Sequence, residues 1–157
     1  MKKKNIFIII ILIVILDQII KFGICKNIPN GSTVSFMGNI VSLTHVQNTG
    51  GAYSLGKNNT SIIIFINIII IGILLIYFIK NFNKLKNIIK ISFTLILSGG
   101  IGNLLDRIFR GYVIDYIDIN NLFGFPIFNL ADIAVVIGIF ITIFYILKDS
   151  LEKQEKI

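Results

Sequence analysis

A chain of 157 residues in which 55 % are apolar and 15 % are charged, with a mean hydropathy of +0.86, is too hydrophobic for a soluble domain and reads as an integral membrane protein. Its net charge of +7 calls for no nucleic acid, because a lysine-rich inner face attracted to anionic lipid accounts for it. A single cysteine, Cys25, excludes an intramolecular disulfide.

Crossing the hydrocarbon takes about 20 mainly apolar residues per helix. Four windows qualify, at residues 6–24, 62–79, 88–105 and 127–147. The first follows Lys2, Lys3 and Lys4 and carries Asp17 and Lys21 toward its end. Those charges, and the lack of an Ala-x-Ala-like site after them, argue against a cleavable signal peptide. Ile24 stands where a lipid-attachment cysteine would want a small neighbour, so Cys25 reads as a free thiol near the membrane surface.

The segment 27–60 opens with a turn signal at Asn27-Ile28-Pro29-Asn30-Gly31-Ser32. Partial alternation over Thr33–Phe36 and Ile40–Val46 predicts two short strands joined near Met37-Gly38-Asn39, a small sheet on the outer membrane surface. It leads into Asn48-Thr49-Gly50-Gly51-Ala52-Tyr53-Ser54, whose paired glycines let another backbone approach closely. Alone, this stretch reads first as a plain loop.

Helix two is almost wholly apolar, whereas helix three holds Ser92, Thr94, Ser98, Gly99, Gly100, Gly102 and Asn103 before Asp106 and Arg107. Gly99 and Gly102 permit tight helix packing. Asn103, Asp106 and Arg107 fall on one face or adjacent faces at its end, and Asp106 with Arg107 fits an interfacial ion pair. Asp115 lies inside Val113-Ile114-Asp115-Tyr116-Ile117, a sequence with every reason to be buried. Its simplest use is to meet Asp132, which enters helix four in Phe128-Asn129-Leu130-Ala131-Asp132. The predicted architecture is therefore all-α in the membrane, one domain of four transmembrane helices with a small extracytoplasmic β-sheet.

Ten of the fifteen basic residues lie before helix one, between helices two and three or at the very start of helix three (Lys90), or after helix four. Cytoplasmic loops retain lysine and arginine, so both termini are expected in the cytoplasm and the acidic residues near the outer surface. A carboxylate in hydrocarbon costs roughly 2.5–3.5 kcal/mol on insertion scales, so such groups normally face a protein interior and perform a task. A small transporter or channel subunit would also carry intramembrane acids, but here they gather near one face while helices two and four have apolar inner halves. That pattern describes a site and not a pathway. His45 is the only histidine and no HExxH motif appears, which disfavours a metalloenzyme. A non-catalytic scaffold would require the meeting of Asp115 and Asp132 to be coincidental.

Five blocks in this order, Asp17-Gln18-Ile19-Ile20-Lys21, Asn48-Thr49-Gly50-Gly51-Ala52-Tyr53-Ser54, Gly102-Asn103-Leu104-Leu105-Asp106-Arg107, Val113-Ile114-Asp115-Tyr116-Ile117-Asp118 and Phe128-Asn129-Leu130-Ala131-Asp132, make the chain resemble the bacterial lipoprotein signal peptidases, the signal peptidase II family. The resemblance spans essentially the whole chain. Gly51 and Tyr53 depart from the alanine and phenylalanine common in the family, which bears only on local loop packing.

The resemblance implies an aspartic endopeptidase of the bacterial cytoplasmic membrane. Its substrates would be prolipoproteins already carrying diacylglyceryl on a cysteine, cut just before that cysteine. Asp115 and Asp132 match the catalytic pair. Asn48, Gly50, Asn103, Asp106, Arg107, Asn129 and Ala131 match supporting positions near the active site, and Asp17 with Lys21 match the motif at the outer end of helix one. The asparagine amides are suited to donate to a scissile carbonyl, and Arg107 to hold a carboxylate or a loop carbonyl. Asp17 and Lys21, four residues apart, read first as neutralising each other. Membrane lipid is the other implied partner; no cofactor, nucleic acid or obligate protein partner is implied.

Overall fold

The computed structural model describes residues 2–38, 40–50, 60–119 and 124–154. Gly51, Tyr53 and the rest of the loop to Ser54 lie outside these residues, as does Asn39 of the predicted strand connection. In chain order the elements are helix α1 (Lys3–Asn27), strands β1 (Thr33–Met37) and β2 (Val41–Asn48), helices α2 (Thr60–Asn81) and α3 (Asn87–Arg110), strand β3 (Val113–Asp118) and helix α4 (Leu130–Gln154). Each of the four helices is long and apolar enough to cross a membrane.

Helix α3 is the least apolar, with a mean hydropathy of 1.6 against 2.6 to 3.2 for the others. It is also the centre of the bundle, with α1, α2 and α4 packed against it. Its glycines are what allow this. A Cβ on Gly99 would fall 2.1 Å from the Ala131 carbonyl oxygen, and one on Gly102 would fall 2.8 Å from Asp17 Oδ2. In a bilayer, where lipid tails are as apolar as leucine, such backbone-close packing is a principal source of helix association. The buried hydroxyls of α3 are all satisfied by backbone: Ser92 donates to the Gly138 carbonyl at 2.7 Å, Thr94 to Lys90 at 2.7 Å and Ser98 to Thr94 at 2.6 Å. Water is not available there to do the same.

Helix α3 stops at Gly111, whose φ of 82° permits the left-handed turn and whose N–H donates to the Arg107 carbonyl. The turn feeds the chain directly into β3. The sheet is antiparallel in the order β1-β2-β3, one strand more than the alternation predicts. Val113, Ile114, Asp115 and Tyr116 are all buried, so β3 shows no in–out period for a sequence reading to detect. Helix α4 begins at Leu130 and not at residue 127. Phe128 is instead bridged to Ile117, accepting from its N–H at 2.7 Å and donating to its carbonyl at 3.1 Å. Two apolar clusters flank the polar region, one of Ile6, Ile10, Phe78, Phe82 and Leu97, the other of Ile24, Ile28, Ile114 and Tyr116.

Candidate active site

Asp115 reaches the site from the middle of β3 and Asp132 from the first turn of α4. Asn129 ties them together. It caps α4 through its Oδ1, which accepts from the Asp132 N–H at 2.9 Å, while its own N–H donates to Asp132 Oδ2 at 3.2 Å. This is a reciprocal capping box with asparagine and aspartate in the two roles. The Nδ2 of the same side chain donates to Asp115 Oδ1 at 2.7 Å and to Asn103 Oδ1 at 3.2 Å. Asn103 in turn donates to Asp132 Oδ1 at 2.7 Å. On the sheet side, Val46 is opposite Asp115 in the β2–β3 register. Asn48, two residues on, shares that face and donates to Asp115 Oδ2 at 2.9 Å. The three asparagine amides thus orient the two carboxylates.

Arg107 and Asp106 do not pair with each other in the ion-pair geometry the sequence suggests. Neighbours on a helix diverge by about 100°, and these two serve different partners. Arg107 donates to the carbonyls of Gly50 at 2.9 Å and Asn103 at 3.3 Å. Gly50 also donates its N–H to Asn48 Oδ1 at 2.9 Å, so the end of β2 is held by both α3 and its own turn. The Nε of Arg107 is buried without a partner among the described residues. Asp106 instead meets Lys21 at 2.9 Å and also pairs with Arg110 and Gln18. Lys21 does neutralise Asp17, at 2.8 Å, but it bonds Asp106 and Asn103 as well. Ala131, 1 % exposed, packs under Gly102 and gives its N–H to Asp17.

Asp115 is 4 % exposed. Burial pushes its carboxyl up to about 6 from the ordinary 3.8. The hydrogen bond from Asn48 opposes that rise, the charge of Asp132 adds to it, and Asn129 and Lys21 oppose it further. Burial likewise pushes the Tyr116 phenol up to about 12, so it stays protonated while its oxygen accepts from the Leu130 N–H at 3.2 Å.

Both carboxylates open onto a cavity of about 910 Å³. Its lining joins the polar Asn48, Asn103 and Arg107 to apolar side chains that include Ile70, Ile71 and Leu74 of α2, Ile96 of α3 and Val135 of α4. Asn67 of α2 also lines it, a residue hydropathy averaging hides inside an isoleucine run. Gln18 and Arg110 are further site supports that the sequence reading misses, although both stand within or beside its motifs.

A family model described as Signal peptidase (SPase) II matches residues 9–148 of the chain. The lipoprotein signal peptidase of Caldicellulosiruptor bescii is 43 % identical over 147 residues, covering 94 % of this chain and 93 % of that protein. The one from Fusobacterium nucleatum is 41 % identical over 138 residues, covering 88 % and 82 %. A bacterial membrane enzyme solved by the in meso method at 2.3 Å superposes with a TM-score of 0.88 at 30 % identity, over 96 % of this chain and 92 % of that one. A second, solved by the same method at 1.9 Å, gives 0.82 at 31 % identity, over 94 % and 95 %. Matched along most of its length in sequence and in fold, the chain belongs to the signal peptidase II family and is a multi-pass membrane aspartic endopeptidase.

Proposed function

We propose that the protein cleaves the signal peptide from diacylglyceryl-modified prolipoproteins, just before the lipidated cysteine, with Asp115 and Asp132 activating water. The observation that carries this reading is the cross-tied pair itself: two carboxylates from separate elements, linked by Asn129 and facing one cavity. Peptide hydrolysis without a covalent intermediate needs one carboxylate to take a proton from water. The other, protonated, assists the carbonyl and then the leaving amine. Neighbouring carboxyls in a poorly solvated site share a proton in this way. Burial raises Asp115, which supports it as the holder of that proton and assigns the role of base to Asp132.

The test is cleavage by the purified chain in detergent of one prolipoprotein with and without its diacylglyceryl group. The expected outcome is a loss of at least about tenfold in kcat/KM without the lipid, because the acyl chains set the depth and register of the scissile bond. Equal turnover at matched membrane concentration would point to a general intramembrane peptidase instead.

The proton shared by the pair also sets the pH dependence. Asp115 faces Asp132 of α4, Lys21 of α1 and Arg107 of α3. A general acid with a value of about 6 is lost as pH rises, so kcat/KM is expected to fall on an alkaline limb that begins near that value, and on an acid limb where the pair takes a second proton. Asn48→Ala removes a bond that favours the carboxylate, so the alkaline limb should move to higher pH. A limb that stays in place would remove Asp115 from the proton inventory.

We place the enzyme in the bacterial cytoplasmic membrane with both termini inside, which the lysine distribution supports. Lys57 and Asn121, natural label positions on sequence grounds, lie outside the described residues, so the exposed Asn30 serves for the outer face. In a Cys25→Ser background, a membrane-impermeant thiol reagent added to intact cells should label Asn30→Cys and spare Lys84→Cys. The reverse would turn the dyad toward the cytoplasm.

A further inference from the structure

We infer that Lys21 is a positioning residue for the dyad, the centre of a buried ionic clamp that grips the backbone immediately ahead of both Asp115 and Asp132. Lys21, Asp17 and Asp106 are each 1 % exposed or less. The ammonium lies 2.8 Å from Asp17 Oδ2, 2.9 Å from Asp106 Oδ2 and 3.0 Å from Asn103 Oδ1. Those three contacts use all three of its donors.

The two carboxylates of the clamp do the gripping, Asp17 through the oxygen turned away from Lys21 and Asp106 through the same Oδ2 that meets the ammonium. Asp17 Oδ1 accepts from the Ala131 N–H at 3.2 Å, and Ala131 precedes Asp132. Asp106 Oδ2 accepts from the Ile114 N–H at 3.2 Å, and Ile114 precedes Asp115. Each carboxylate that Lys21 binds therefore holds the residue next to one member of the dyad. The third contact acts on a side chain. With its Oδ1 turned to the ammonium, Asn103 presents its Nδ2 to Asp132 Oδ1 at 2.7 Å, and the opposite amide orientation would set two donors against each other.

Neutralisation alone would not require this arrangement. Asp17 and Lys21 stand at i and i+4 on one helix and satisfy each other without α3. Buried ion pairs are often no better for stability than apolar residues of the same volume, so a cluster recruiting three helices and two backbone donors at the dyad has a geometric use. Asp106 is itself steadied from the other side by Arg110 and by Gln18 at 3.0 Å.

The inference rests on the dyad reading and is tested beside it in the full-length enzyme with a lipidated prolipoprotein. Asp17→Asn/Lys21→Met removes one charge of each sign, and the amide that replaces the Asp17 carboxylate keeps an oxygen for the Ala131 N–H. Its kcat should fall about 10- to 100-fold with KM within about threefold, as expected for misplaced catalytic groups, and melting in detergent should show a folded protein. The alkaline limb should rise, because the Lys21 charge that favours ionised Asp115 is gone. Asp17→Asn/Lys21→Gln restores a donor toward Asn103 and should recover part of the lost kcat. Should the Met variant not fold, the Gln variant is read against Asp17→Asn alone, with a lower kcat and a raised limb again expected. Asn103→Ala should combine with Lys21→Met in the Asp17→Asn background non-additively. A folded Lys21 variant with unchanged kcat and unchanged limb overturns the positioning role, while Asp115→Asn or Asp132→Asn stays inactive. Turnover by those dyad variants would instead remove the reading on which it rests.

Discussion

Asp115→Asn and Asp132→Asn are each expected to lower kcat by about 10²- to 10⁴-fold, the range that positioned proton transfer contributes. The double variant should be little worse than either single one, because groups that act as a unit are not additive. The substitutions keep size and most hydrogen bonding, so protein should still insert and fold. Stability supplies an independent check at Asp115. Its folded value, about 6, lies above the ordinary 3.8, so the folded state binds the extra proton and this contribution to stability is lost as pH rises from about 4 through about 6. An amide has no such dependence. It does oppose one of the Asn48 and Asn129 donors, so the net change at neutral pH should stay within about 2 kcal/mol. Melting temperature and single-turnover cleavage on the same preparations decide the matter; near-normal turnover by either variant removes the dyad.

Asn129→Leu should come next in severity, with kcat down by about 10²-fold or more and KM little altered, as expected for displaced catalytic groups. The side chain is fully buried, and leucine fills a similar volume while deleting the tie between Asp115, Asn103 and the α4 N-terminus. Loss of the cap should also cost about 1 kcal/mol of stability. Asn129→Asp keeps the cap but sets a third carboxylate against the pair, so it should rescue folding and not turnover. A rise confined to KM would show that Asn129 touches substrate more than it organises the aspartates.

Much of this was legible in the chain because hydrocarbon is a severe filter. Long isoleucine runs mark the spans, and an aspartate within Val113–Ile117 or just inside helix four is conspicuous by its expense. What escaped was whatever hydropathy averages away. Strand β3 is buried along four successive residues, so its pattern carries no period. Asn129 stands among the matched motif positions, but its role as the helix cap is hidden in an apolar stretch that a window reads as helix, although an asparagine three residues ahead of an aspartate is itself a cap signal. Asp106 and Arg107, adjacent in sequence, suggest a pair, and only the three-dimensional arrangement sends one to Lys21 and the other to Gly50. The reach of Lys21 across to Asn103 and Asp106 joins residues 82 and 85 positions away (103 − 21 and 106 − 21), a connection no local motif expresses.

The central place of α3 bears on how the protein enters the bilayer. Its hydropathy of 1.6, with Asp106 and Arg107 near its end, makes it a poor candidate to leave the insertion machinery for lipid unaided. Synthesis delivers its counterpart first: α1 is already installed with Lys21, the cation that Asp106 needs, and α2 gives it an apolar wall. Helix α4 emerges last, and with it come Asp132 and Asn129. On the proposed dyad, proteolytic competence would arise only when the final span docks, and a partly synthesised chain would be inert in the membrane it is entering.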